Sequence, residues 1–91
     1  MKVYKPDERV LDGEFTNLRQ AMDEVDDECY EAFNKFPPMV SPHEGLAIIQ
    51  EEFEELKAEV FLQHDVRTKE AMRHEAKQVA AMALRFMVDL T

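Results

Sequence analysis

Along this chain, apolar side chains return every three or four residues. Nowhere do they alternate with polar ones at the two-residue period of a strand. That spacing predicts helices throughout. The first runs from about Asp7 to about Phe36. Leu11, Phe15, Leu18, Met22, Val25, Cys29, Ala32 and Phe36 fall at alternating steps of four and three, a continuous heptad seam. Tyr30 and Phe33 widen it. The other faces carry Asp23, Glu24, Asp26, Asp27, Glu28 and Glu31, which read as a solvated acidic face. Gly13 is a point where the first turn can bend. Pro37 and Pro38 cannot continue the helical hydrogen bonds and end the element.

Ser41-Pro42-His43-Glu44 follows. Serine at the N-cap, proline at the first helical position and glutamate at the third make a capping box, so a second helix starts at Pro42. It is predicted to reach about Gln63, with Leu46, Ile49, Phe53, Leu56 and Val60 as its seam. A third helix is predicted from near Thr68 to Leu90, with Met72, Ala76, Val79, Ala83, Phe86 and Leu90 inward. Asp65 or Thr68 is its N-cap. The link between the last two helices is short, which forces them antiparallel. Ala76, Ala80, Ala81 and Ala83 allow a neighbour to approach the third helix closely.

The chain has 91 residues, one domain at most, and 45% of them are hydrophobic. A chain this short builds a thin core. More apolar surface is offered than three short helices hide among themselves. The expected architecture is therefore an all-α, three-helix chain with a C-terminal antiparallel hairpin, assembling into a helical-bundle oligomer. A closed homodimer or homotetramer is expected.

Charge narrows the partners. Twenty acidic and 11 basic residues leave a net charge of −9. Nucleic acid and anionic membranes both call for a basic footprint, so neither is expected. The apolar stretch Val79 to Leu90 is broken by Arg85 and Asp89 and is too short to span a bilayer. The start, Met1 to Glu8, has no apolar segment of the signal-peptide kind. Cys29 is the single cysteine, so no intrachain disulfide forms and a reducing, cytoplasmic setting is expected.

The candidate chemistry lies on the hairpin. The second helix carries Glu51, Glu52, Glu54, Glu55 and Glu59, and the third carries Glu75 and Gln78. At about 100° per residue, Glu52 falls at the edge of its apolar seam with Glu55 and Glu59 on the same flank. Glu75 falls at the edge of the facing seam, with Gln78 beside it. Folding the chain back near residue 65 or 66 brings the Glu52/Glu55 pair nearly opposite the Glu75/Gln78 pair. Converging carboxylates repel one another unless a cation neutralises them. Hard ions such as Mg²⁺ or Mn²⁺ take oxygen ligands and retain positions for substrate phosphates. Solvated, salt-bridged glutamates on good helix-forming positions are the competing reading.

Other candidates are weaker. No histidine follows a glutamate by three residues, and Ala47 stands where a zinc-protease motif needs a second histidine. His43 reads as a helix-start residue, His64 and His74 as exposed, and Cys29 as core. Lys69, Arg73 and Lys77 lie near the carboxylates in sequence, as exposed cations or as phosphate contacts.

Glu51-Glu52-x-x-Glu55 followed by Glu75-x-x-Gln78 resembles the EExxE…ExxD signature of the all-α nucleoside triphosphate pyrophosphohydrolases of MazG type. Ser41 to Gly45 and Gln78 to Phe86 are similar to segments of small phage and prokaryotic members. The resemblance spans about residues 40 to 90. It implies an oligomer that cleaves a nucleotide to its monophosphate and pyrophosphate with Mg²⁺ or Mn²⁺. By position it makes Glu52, Glu55 and Glu75 ligands, and Glu51 an accessory ligand or the holder of the attacking water. Glu51, Glu52, Glu55 and Glu75 would then be the catalytic residues. The family aspartate falls at Gln78, whose carbonyl can ligate a metal but adds no charge. The alternative is a non-catalytic oligomerisation or partner-binding protein that keeps the fold.

Overall fold

The computed structural model describes Val3 and residues 13–91. Three helices follow in order: α1 (Glu14–Lys35), α2 (Pro42–Val60) and α3 (Lys69–Leu90). There is no strand among the described residues. The predicted start of the first helix near Asp7, with Leu11, lies outside the described residues.

Each boundary has a local cause. Gly13 stands before α1 at φ 81, a left-handed conformation that glycine adopts without strain. Its carbonyl accepts from the amides of Thr16 and Asn17 at 3.1 and 3.3 Å. Phe36 is extended, as a residue before proline must be, and α1 stops there. At α2, Ser41 Oγ accepts from the Glu44 amide at 3.1 Å. Glu44 reaches back to the amide of Val40 at 3.2 Å, one residue before the N-cap that a reciprocal capping box would use.

The second helix ends three residues short of its predicted end. The amide of Leu62 donates to the carbonyl of Glu59 at 3.3 Å, tightening the chain out of the α-helical pattern. A turn follows in which the Gln63 carbonyl accepts from both Val66 and Arg67. Thr68, not Asp65, caps α3, its Oγ1 accepting from the Ala71 amide at 3.0 Å.

α2 and α3 form the antiparallel hairpin, because contacts advance along one as they retreat along the other. Gly45 meets Phe86 and Leu90, and Glu52 and Glu55 meet Glu75. Glycine at 45 is what permits this approach. A Cβ there would stand 2.6 Å from Phe86 Cδ2 and 2.8 Å from Leu90 Cδ1. α1 packs on α3 in the same sense as α3 runs, with Glu24 against Arg73, Glu28 against Gln78 and Cys29 against Ala81.

α3 therefore lies between α1 and α2 and needs two inward faces where one seam was predicted. Ala81 and Met82 are buried, along with Arg85, while the predicted Ala83 is exposed. On α2 the inward stripe is Gly45, Ile48, Ile49, Glu52, Leu56 and Glu59, leaving Leu46 and Phe53 exposed. The α1 seam divides as well. Cys29 and Ala32 are buried against Ala81 and Met82, with Val25, Ile48 and Ile49 around them, whereas Phe15, Leu18 and Met22 are exposed.

The link from α1 to α2 is strapped onto the end of α3. Arg85, 3% exposed, donates to the Pro37 carbonyl at 3.0 Å and sits over the Phe36 ring. Asp89 accepts from the Met39 amide at 2.9 Å, and Met39 is itself buried. Arg85 and Asp89 read in the sequence as interruptions of an apolar stretch. In the fold they satisfy the backbone of a proline-containing segment that cannot satisfy itself.

Candidate metal centre

Glu52 and Glu55 are three residues apart on α2 and so project from neighbouring positions on one face. The hairpin register places Glu75 of α3 across from them. One carboxylate oxygen from each of the three lies within 4.8 Å of the others. Glu52 and Glu75 are half-buried, and Glu55 is exposed, so the trio opens to solvent on the α2 flank.

This arrangement is electrostatically costly as it stands. Burial, and then the Glu55 carboxylate beside it, push the Glu52 carboxyl up to about 7. Glu75 and Glu51 add to the same effect. Burial and the Glu55 charge also raise Glu75, with Glu59 adding to the rise and His74 opposing it. Glu75 Oε2 is buried with no hydrogen-bond partner. A buried carboxylate oxygen without a partner costs free energy that a cation would recover. Three carboxylate oxygens converging at this spacing fit a hard divalent ion that keeps further positions open. Three acidic residues of this chain can hold a metal ion together.

The other anticipated residues fall elsewhere. Glu51 is exposed next to the trio and acts on Glu52 by its charge. Gln78 lies one turn beyond Glu75, and its Nε2 donates to Glu28 Oε1 at 2.6 Å, so its amide is engaged with α1. Arg73 and Lys77 also face α1. Arg73 makes a two-pronged pair with Glu24 at 3.0 and 2.6 Å, and Lys77 Nζ stands 4.0 Å from Glu28 Oε2. Lys69, His43, His64 and His74 are exposed. Cys29 is buried, its Sγ 3.7 Å from the Ala81 carbonyl, and burial pushes the thiol pKa up, as befits a core residue.

Two features had no clear sequence signal. Glu24 and Glu28 read as part of a solvated face, yet they tie α1 to α3. Their partners are cations and an amide some 50 positions away, beyond the reach of any local pattern. The buried Arg85 was equally hidden, since a lone arginine in an apolar stretch gives no indication of which carbonyl it will meet.

The chain matches no known family model, no curated protein and no solved structure.

Proposed function

We propose that the protein is a divalent-metal-dependent nucleotide pyrophosphohydrolase, with Glu52, Glu55 and Glu75 as the ligands of Mg²⁺ or Mn²⁺. The observation that carries this reading is the convergence of the three carboxylates, one oxygen of each within 4.8 Å of the others. The resemblance of Glu51-Glu52-x-x-Glu55…Glu75 to the MazG-type signature supports the choice of reaction. When bound, the cation supplies charge neutralisation for the phosphates and polarises the reacting phosphoryl group.

The residues divide the remaining work. Glu52 and Glu75, partly withdrawn from water, hold negative charge where little solvent screens it. Glu55 closes the set from the exposed side. In this reading Glu51, exposed beside the trio, holds the attacking water and takes up its proton. The water oxygen joins the α-phosphorus of a nucleoside triphosphate, and the bond from that phosphorus to the α–β bridging oxygen breaks. Nucleoside monophosphate and pyrophosphate leave.

One observation favours a second reading, a fold kept without turnover. Gln78 is neutral, and its amide donates to Glu28, so three charged ligands stand where the family pattern, with an aspartate there, has four. The two readings separate in a chromatographic assay of the purified protein on a panel of canonical and modified nucleoside triphosphates, with Mg²⁺ or Mn²⁺ and with chelator. Metal-dependent formation of monophosphate plus pyrophosphate, lost in Glu52→Gln and Glu75→Gln, is the expected result. No turnover across the panel would overturn the enzymatic reading.

A further inference from the structure

At position 78 the chain carries an amide where the family pattern has a carboxylate, and that amide is held by α1. Gln78 follows Glu75 by three residues on α3, so the two side chains project from neighbouring positions of one face. Gln78 Nε2 donates to Glu28 Oε1 at 2.6 Å in a half-buried contact. Glu28 is steadied in turn by Lys77, whose Nζ stands 4.0 Å from its other oxygen, and both side chains are largely withdrawn from solvent. An ionised carboxylate only accepts, so it takes the nitrogen of the amide and not the oxygen. Nitrogen and oxygen diverge from one planar carbon. Turning the nitrogen to α1 therefore turns the oxygen away from α1, and α3 lies between α1 and the helix that carries Glu52 and Glu55.

We propose that Glu28 is a positioning residue of the metal centre. By holding the nitrogen of Gln78, it presents the amide oxygen to the cation bound by Glu52, Glu55 and Glu75. This rests on the metal-dependent reading above and extends the site to α1. A free amide turns about its last torsion and offers a cation either end, one attractive and one repulsive. Glu28 removes the repulsive orientation. Hard divalent ions accept amide carbonyl oxygens as ligands, so the residue at 78 keeps a ligand atom although it has lost the charge. Glu28 returns a negative charge one hydrogen bond behind that ligand. Partners of this kind, which orient a ligand and raise its electron density, typically govern metal affinity by about 10–100-fold.

Two simpler roles for Glu28 have to be separated from this one: tying α1 to α3, and attracting a cation through space. Glu24 is the control for both. It lies four residues earlier on α1, carries the same charge and ties the same two helices through its two-pronged pair with Arg73. The experiment is direct Mn²⁺ binding to the full chain, read by electron paramagnetic resonance of the free ion, with no substrate present. The variants are Glu28→Gln, Gln78→Leu, the two together, Glu24→Gln and, as the site control, Glu52→Gln. Glu28→Gln is isosteric, and thermal melts in chelator set a temperature at which every variant is folded.

Glu28→Gln and Gln78→Leu are each expected to weaken Mn²⁺ binding about tenfold or more. The pair together is expected to be no weaker than Gln78→Leu alone, because the effect of Glu28 runs through Gln78. Glu24→Gln is expected to lower the melting temperature and leave the affinity unchanged. Binding that is lost in Glu52→Gln but unchanged in Glu28→Gln would overturn this inference and leave the carboxylate site standing. So would equal weakening by Glu24→Gln and Glu28→Gln, or the same loss from Glu28→Gln with and without Gln78. A wild type that binds no Mn²⁺ would overturn the metal-dependent reading itself, and this inference with it.

Discussion

Replacing Glu52 by glutamine should stabilise the metal-free protein and remove its response to metal, two effects of opposite sign from one change. The side chain keeps its size and loses its charge. In the folded chain the Glu52 carboxyl is pushed from 4.5 to about 7, by burial first and by Glu55 next. A shift of that size corresponds to about 3 kcal/mol of penalty for holding the group ionised. Solvent reaches part of the side chain, so a gain of roughly 1–3 kcal/mol is expected from the substitution above neutral pH. For a domain of this length each kcal/mol moves the melting temperature by roughly 4–8 °C. On the proposed site, magnesium at about 100 times its dissociation constant should add roughly 2.7 kcal/mol to wild type, as any ligand of the folded form alone would. The variant, with two ligands left, should gain little. Thermal melts followed by circular dichroism at about pH 8, in chelator and in excess Mg²⁺, read both effects. The variant should melt above wild type in chelator, and only wild type should rise with metal. A variant that melts below wild type in chelator would mean that Glu52 makes a stabilising contact there. A variant that keeps the full magnesium response would remove Glu52 from the site.

Three further outcomes follow from particular contacts. Metal-free wild type should lose stability as pH rises from about 4.5 through about 7, because folded Glu52 retains a proton that the unfolded chain has released across that window; urea midpoints at several pH values in chelator measure the slope, and a rise with pH would contradict it. Gly45→Ala should destabilise by about 1 kcal/mol, since the new Cβ would meet Phe86 and Leu90 at 2.6 and 2.8 Å and this overpacking outweighs the gain in helix propensity. Urea denaturation reads the sign. Ser41→Ala should cost about 1 kcal/mol by removing the acceptor for the Glu44 amide, with unchanged helix content in the native baseline.

Much of this protein was legible along the chain because the deciding interactions are local. The proline pair, the serine-proline start of α2 and the absence of any two-residue alternation specify three helices through backbone geometry within a few residues. The short link then sets the last two antiparallel. With that turn placed, the level of Glu75 against Glu52 and Glu55 follows from helical rise alone. What the chain could not disclose is how each helix is rotated about its axis and which helix lies in the middle. Those depend on packing between residues about 50 positions apart, where small differences in fit decide. Only the tertiary structure turned Gln78 to Glu28, paired Glu24 with Arg73, buried Arg85 under the proline link and left Leu18 and Met22 more than half exposed. α3 had to serve two faces at once, and a single heptad seam cannot state that in advance.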